Sequence, residues 1–315
     1  MKKSIWSKLF ASFLRLVFPA ILLVVAALAA LAIWFVHQAA EPPRAAYLVT
    51  PESLSQFTQS QVKISEENWQ NKDATPARGW MIRGAETAPA VILLHRYGTD
   101  RSWLLNLGVK LNETTGFTVL IPDQRGHGAN PAVKWSGLGG VEGADLISAV
   151  EFLRGQKTGA RIGVYGVEMG ALAAIFGAGE EPAIQALALD SIPDSSEDIL
   201  ESTVKARTSF AGDIAYQIAC RGTHLYYRTA FRHDAACEAA KQIENRKVLL
   251  LAGKDAPALR ESTLAFGKCL SNGANVQSKT DLQISGFNLN NIAAGRQGEE
   301  YDNAVINFFR ATLGN

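Results

Sequence analysis

The sequence predicts an α/β domain, a mostly parallel central sheet with helices on both faces, preceded by one membrane-crossing helix. Three observations predict it. Short apolar runs rich in strand formers alternate with helically spaced segments through most of the 315 residues. One such run, Ile162-Gly163-Val164-Tyr165, leads into Gly166-Val167-Glu168-Met169-Gly170 and then an alanine-rich stretch, a strand–turn–helix in miniature. Finally, residues 16–36 carry no charge over a length that spans a bilayer as a helix.

The N-terminal segment comes first. Lys2, Lys3, Lys8 and Arg15 precede the apolar run, so residues 1–15 are expected in the cytoplasm and the main domain outside. Trp6 and Trp34 suit the two interfaces. A cleaved signal peptide is the rival reading, with small residues at 29–32 as its cleavage region. The run continues past them through Ile33-Trp34-Phe35-Val36, which favours an uncleaved anchor. Residues 37–60 contain Glu41-Pro42-Pro43 and Pro51 and are expected to form a linker into a domain spanning 61–315. Either reading exports that domain. In an oxidising compartment Cys220 and Cys237 could pair, leaving Cys269 over, or all three thiols could stay unpaired.

Strands are then expected at 90–95, 117–121, 162–165, 184–189, 248–252 and 281–285. Helices are expected at 102–112, 141–153, after Gly170, at 258–270 and at 299–311. Continuous apolar strands separated by helices imply a parallel sheet covered on both faces. Such sheets bind ligands at the carboxyl ends of their strands, which sets His95, Asp123, Glu168, Asp190 and Gly253 on one rim. Residues 194–245 break the alternation and are polar, with His224, Tyr226, Tyr227, Arg228, Arg232 and His233. They are expected to form a lid over that rim.

Composition removes several function classes. A formal net charge of +1 with no basic run gives no footprint for nucleic acid. No His/Cys/Asp/Glu spacing suits a metal, and no glycine-rich phosphate loop follows a strand, so neither metal nor cofactor is expected. The anticipated partners are the membrane, through the N-terminal helix, and an unidentified small molecule, lipid or protein.

Five segments carry a resemblance to the α/β-hydrolase superfamily, in its S33-like or lysophospholipase-like serine-hydrolase branch. They are LLHRYG at 93–98, PDQRGHG at 122–128, GVEGADLISAVEFLR at 140–154, GVYGVEMGA at 163–171 and GKDAP at 253–257. The resemblance implies a serine between the elbow glycines, an acid after a late strand and a histidine before the last helix. Here Glu168 stands at the serine position, Ala256 at the acid position and Leu289 at the histidine position. Asp255 is a possible substitute acid, one residue early. The implied oxyanion donors are the N–H groups of Tyr97 and Met169, with Arg96 where the family has a glycine.

Each residue has a bland reading beside the chemical one. Glu168 could be a carboxylate nucleophile or base, but its intermediate would need an activated water and no histidine follows His233. More in keeping with the rest, Glu168 is expected to pair with Arg96 and plug the oxyanion position. His95 and His127 are expected to brace loops, and His224 in the lid is a candidate binding residue. Asp123, Arg125 and Asp190 are expected as supports. The combined expectation is an exported, membrane-anchored, hydrolase-like protein without serine-hydrolase activity. The alternatives are an active hydrolase using Glu168, and a structural envelope protein.

Overall fold

The computed structural model describes residues 5–44, 46–55, 62–129, 131–157, 159–207, 235–271, 273–289 and 295–314, with residues 213–214, 217–218, 221–222 and 225 between them. It opens with α1 (Ile5–Ala40). Its most apolar stretch, Ser12–Trp34, is 23 residues long and carries one charge, Arg15, near its start. At about 1.5 Å per residue it is longer than the ~30 Å hydrocarbon core of a bilayer. Phe18, Leu23 and Ile33 along it are exposed. A membrane span and a signal sequence share these properties. The last turn differs from the rest: Val36 and Ala40 are buried against the domain.

The segment expected to be a linker is more structured than that. After α2 (Pro51–Ser55), β1 (Ile64–Gln70) and β2 (Pro76–Ile82) form an antiparallel pair. Their sequence signal is weak because β1 is an edge strand whose residues are half-buried or exposed. β2 joins β4 (Thr118–Pro122) in antiparallel register, Met81 opposite Leu120. From there the sheet is parallel through β3 (Ala90–Leu94), β5 (Ile162–Val167), β6 (Ile184–Asp190), β7 (Lys247–Gly253) and β8 (Val276–Leu282). The eight strands run in the order β1-β2-β4-β3-β5-β6-β7-β8.

The central strands read as continuous apolar runs because both faces are covered. On one face α4 (Gly140–Gln156), α5 (Met169–Glu180) and α6 (Ser196–Arg207) enclose Leu146, Val164, Leu172 and Leu200. On the other, α3 (Leu105–Thr115) and a C-terminal helix, Gly295–Leu313, enclose Leu93, Val119, Tyr165 and Phe309. The final strand lies at 276–282 rather than at 281–285. It is the far edge, with Gln277, Ser278 and Lys279 exposed, so its polar sequence hides it.

The cysteines follow neither alternative left open by the sequence, a Cys220–Cys237 bond or three free thiols. Cys237 bonds Cys269, joining the short helix Ala236–Ala239 to the end of the helix Pro257–Cys269. Cys220 lies outside the described residues, as do His224, Tyr226, Tyr227, Arg228, Arg232 and His233 of the expected lid. The bond closes a sequence separation of 32 residues. Chain entropy assigns such a loop about 3–4 kcal/mol, so Cys269→Ser should lower the unfolding free energy by that amount. Urea unfolding of the two proteins under non-reducing conditions checks it.

Candidate functional site

The parallel strands β3 to β7 all end at one rim, which carries the last residues of β6 and β7, Asp190 and Gly253, and the residues just after β3, β4 and β5, His95, Asp123 and Glu168. The turn after β5 is set by its glycines. A Cβ on Gly166 would overlap the carbonyl of Gly170, and one on Gly170 would overlap the carbonyls of Leu94 and His95. Only glycine lets α5 start this close to β3 and β5. Between them Glu168 takes φ 50°, ψ −107°, a conformation costing a non-glycine residue about 1–3 kcal/mol. Its backbone is held there: its N–H donates to Asp190 O at 3.0 Å, and its carbonyl accepts from Ala171 and Leu172.

The side chain of Glu168 turns into the rim rather than out of it. Its Oε2 accepts from the N–H of Tyr97 at 2.8 Å and from the N–H of Met169 at 3.3 Å. These are the two amides expected to face an oxyanion. The carboxyl group is buried, at the N-terminus of α5, where the helix dipole favours an anion. Burial pushes its pKa up, against the Tyr97 amide, the Arg96 charge and the Met169 amide.

Arg96 is not the expected ion-pair partner. No side-chain N···O distance within 4.0 Å links it to Glu168. Its Nη1 donates to the carbonyl of Tyr97 at 3.1 Å. The guanidinium lies 4.7 Å from the Phe287 ring centre and 5.2 Å from that of Trp103, so two aromatic faces hold it. It influences Glu168 through the field, while backbone amides make the contacts.

The loops after β7 and β8 carry the other two positions, Ala256 and Leu289. Ala256 caps the helix Pro257–Cys269 without a side-chain bond, and Leu289 is half-buried with its N–H on the Ser285 carbonyl. Asp255 is exposed. It accepts from Ser285 N at 2.9 Å, Ser285 Oγ at 3.1 Å and Asn288 Nδ2 at 2.9 Å. Its bonds thus fasten the loop on which a histidine would have stood.

Beneath that loop lies a group the sequence did not single out as a network. Tyr301 OH donates to Asp190 Oδ2 at 2.5 Å, Gly286 N donates to the same oxygen at 3.0 Å, and Tyr165 OH bonds Tyr301 OH at 2.7 Å. All are fully buried except Gly286. The strand-end position of Asp190 was legible; its tyrosine partners, 111 and 136 residues apart in sequence from theirs, were not.

His95 and His127 brace loops, as expected. His95 Nε2 accepts from Gln124 N and its Nδ1 faces the Arg96 carbonyl. His127 Nε2 accepts from Gly98 N and its Nδ1 faces the Arg125 carbonyl. Each ring therefore needs its proton on Nδ1 and is neutral. Burial pushes His95 down to about 4. Burial, then the neighbouring His95, pushes His127 down to about 3. Two carboxyls move oppositely: burial lifts Asp190 to about 6 against bonds from Ser191, Tyr301 and Gly286, and lifts Asp145 to about 6 against Arg125.

These shifts act in one pH window. As pH falls from about 6.5 toward 4, unfolded histidines take up protons and the folded ones do not, so both cost stability. Over the same range folded Asp190 and Asp145 take up protons and their unfolded counterparts do not, so both add stability. Asp190→Asn removes one counterweight. Between pH 6 and 4.5 its stability should fall more steeply than the parent's by about 1 kcal/mol per pH unit. Urea unfolding at both pH values reads this, and an unchanged slope would mean Asp190 is ionised throughout.

Among the described residues no cluster of three His, Cys, Asp or Glu could hold a metal. The family model of serine aminopeptidases S33 matches residues 85–217. Solved structures with a similar fold include an esterase of Pyrococcus furiosus, 22% identical with a TM-score of 0.67, the match covering 87% of this chain and 98% of that one. A thermostable carboxyl esterase of Bacillus coagulans is 14% identical at a TM-score of 0.59, covering 80% and 100%. An acylaminoacyl peptidase of Pyrococcus horikoshii is 14% identical at 0.57, covering 84% of this chain and 44% of that one. No curated protein matches the sequence significantly.

Proposed function

We propose that this chain, whose fold is that of the α/β hydrolases, belongs to their superfamily but does not hydrolyse esters and instead binds a small molecule, lipid or partner at its rim. One observation carries the reading. The carboxyl oxygen of Glu168 sits on the Tyr97 and Met169 amides, the donors that an acyl-transfer intermediate would need. A substrate oxygen would have to displace a buried carboxyl group from them. Leu289 at the histidine position and Ala256 at the acid position are consistent with lost turnover, since neither offers a proton acceptor.

The N-terminal helix is read as an uncleaved anchor with its basic end on the cytoplasmic side. The way the chain leaves the helix supports this. Ala40 O accepts from Ser136 N at 2.8 Å, and Pro42 and Pro43 cross the rim loops so closely that a Cβ on Gly126 or Gly98 would meet their rings at 3.1 and 3.4 Å. Gly222 of the 194–245 insert packs on Val36, and Ile214 and Leu225 of that insert are about three-quarters exposed. An anchored domain would then hold its rim, and these apolar side chains, close to the bilayer.

The test is turnover of a panel of activated esters by the full chain in detergent, beside Glu168→Ala. The expected result is the same background rate for both. Turnover present in the parent and lost in Glu168→Ala would make Glu168 a working nucleophile or base and replace the binding reading with an active hydrolase.

A further inference from the structure

Beyond α1, four large apolar side chains stand exposed among the described residues: Leu48, Ile214, Leu225 and Leu264. The two most exposed, Ile214 at 74% and Leu225 at 73%, both belong to the 194–245 insert. A single exposed leucine is ordinary, but two that share one segment call for something that covers them.

That segment is fastened to the last turns of α1. A Cβ on Gly222 would overlap Val36 Cγ2 and lie 3.9 Å from the Ala32 carbonyl oxygen, so backbone crosses α1 there at glycine distance. α6 touches α1 as well. On the inner side Ile218 packs against the main core. Asp213, Ile214, Gln217, Ile218 and Arg221 line one shallow depression, which keeps Ile214 near Arg221 and so near the crossing. Leu225 comes three residues after Gly222, at most about 11 Å from it along the chain.

The level of the crossing identifies the cover. Ala32 lies inside the apolar stretch Ser12–Trp34, two residues before its end, and Val36 lies two residues past that end. At 1.5 Å per residue, both stand within about 3 Å of the place where the apolar span stops. The headgroup layer of a bilayer continues for ~5–8 Å beyond its hydrocarbon core. Segments lying in that layer bury their apolar side chains ~5–10 Å deep and keep basic ones at the lipid phosphates. Ile214 and Leu225 stand at this depth, with Arg221 exposed beside them. A protein partner fits less well. A stable interface buries about 800 Å2 on each side, far more than two aliphatic side chains offer, whereas a bilayer needs no complementary shape.

We propose that this part of the insert is a second membrane contact, with Ile214 and Leu225 inserted among the lipids of the leaflet on the domain's side and Arg221 at their phosphates. The inference rests on the reading of α1 as an uncleaved anchor. It adds a second point of attachment, which fixes the face that the domain turns to the bilayer, where a lone helix would leave rotation about its own axis free.

Photocrosslinking of the full chain tests it, in phosphatidylcholine and phosphatidylglycerol vesicles with tritiated acyl chains. A diazirine amino acid is placed at Leu225, Ile214, Phe18 of α1 or Ser278 of β8, one position at a time. All four residues are exposed, so the label disturbs no packing. Lipid adducts are expected at Phe18, and at Leu225 and Ile214 in yields at least about tenfold above Ser278. Adducts at Phe18, with only the Ser278 background at both insert positions, would overturn the second contact and leave the anchor standing. Crosslinked pairs of chains from the insert positions, in place of lipid adducts, would overturn it in favour of a second copy. No adduct at Phe18 would overturn the anchor itself, and this inference with it.

Discussion

Gly170→Ala should destabilise the domain by about 3–5 kcal/mol, enough to leave little folded protein at ordinary temperature. The added methyl has nowhere to go. It would lie 2.8 Å from the His95 carbonyl oxygen and closer still to that of Leu94, and both are backbone atoms of the strand end that α5 packs against. α5 itself cannot retreat, because every residue from Met169 to Ala178 is buried beneath α4 and α6 or against the sheet. Relief would require separating a helix from the centre of the sheet. The contrast is Gly155, which lies in α4 with nothing within 4 Å of a Cβ. There Gly155→Ala should stabilise by about 0.5–1 kcal/mol, through helix propensity and a less mobile unfolded chain. Urea unfolding of both variants compares them directly. A tolerated Gly170→Ala would mean that the elbow is looser than described.

Glu168→Lys and Glu168→Gln should separate just as widely. The side chain ends on two N–H groups at the start of a helix, a place built entirely from donors. Lysine would bring a third donor and a cation to the positive end of the helix dipole, in a buried position already under the field of Arg96. An uncompensated buried charge costs roughly 3–5 kcal/mol. Glutamine keeps an oxygen for the same two amides and should cost no more than about 1 kcal/mol. Alanine falls between them at about 1–3 kcal/mol, the cost of leaving the amides unsatisfied. Thermal unfolding of the three variants ranks them. Lysine and glutamine behaving alike would show that the carboxyl group does not rest on the amides.

The parallel half of the sheet was legible because each of its strands is covered on both faces and therefore continuously apolar. Val91 to Leu94 and Val248 to Leu251 show this in their burial as well as in their letters. The two edges were not. β1 exposes alternate residues and β8 exposes most of its own, and a sequence such as Val276-Gln277-Ser278-Lys279 carries little to separate a strand from a loop. For the site, the glycine spacing announced the turn and placed Glu168 on it. Where its carboxyl group points was decided by a loop 71 residues away, out of reach of any local pattern. Opposite charges at Glu168 and Arg96 suggested an ion pair. Aromatic faces from Trp103 and Phe287 competed for the guanidinium, and the amides for the carboxylate. The disulfide failed for a similar reason. Cys220 is nearer to Cys237 in sequence, but the helix Pro257–Cys269 brings Cys269 to it in space.

The hydrogen bond from Ser136 to the Ala40 carbonyl, with the two prolines laid across the rim loops, makes a stiff joint of what would otherwise be a hinge. A domain on a slack leash tumbles independently of whatever holds it. Here the chain is fastened to the domain at the last residue of the helix, Ala40, so little slack separates helix and rim. Lengthening the chain between Val36 and Pro42 would therefore do more than add reach: it would put slack where helix and domain now meet directly.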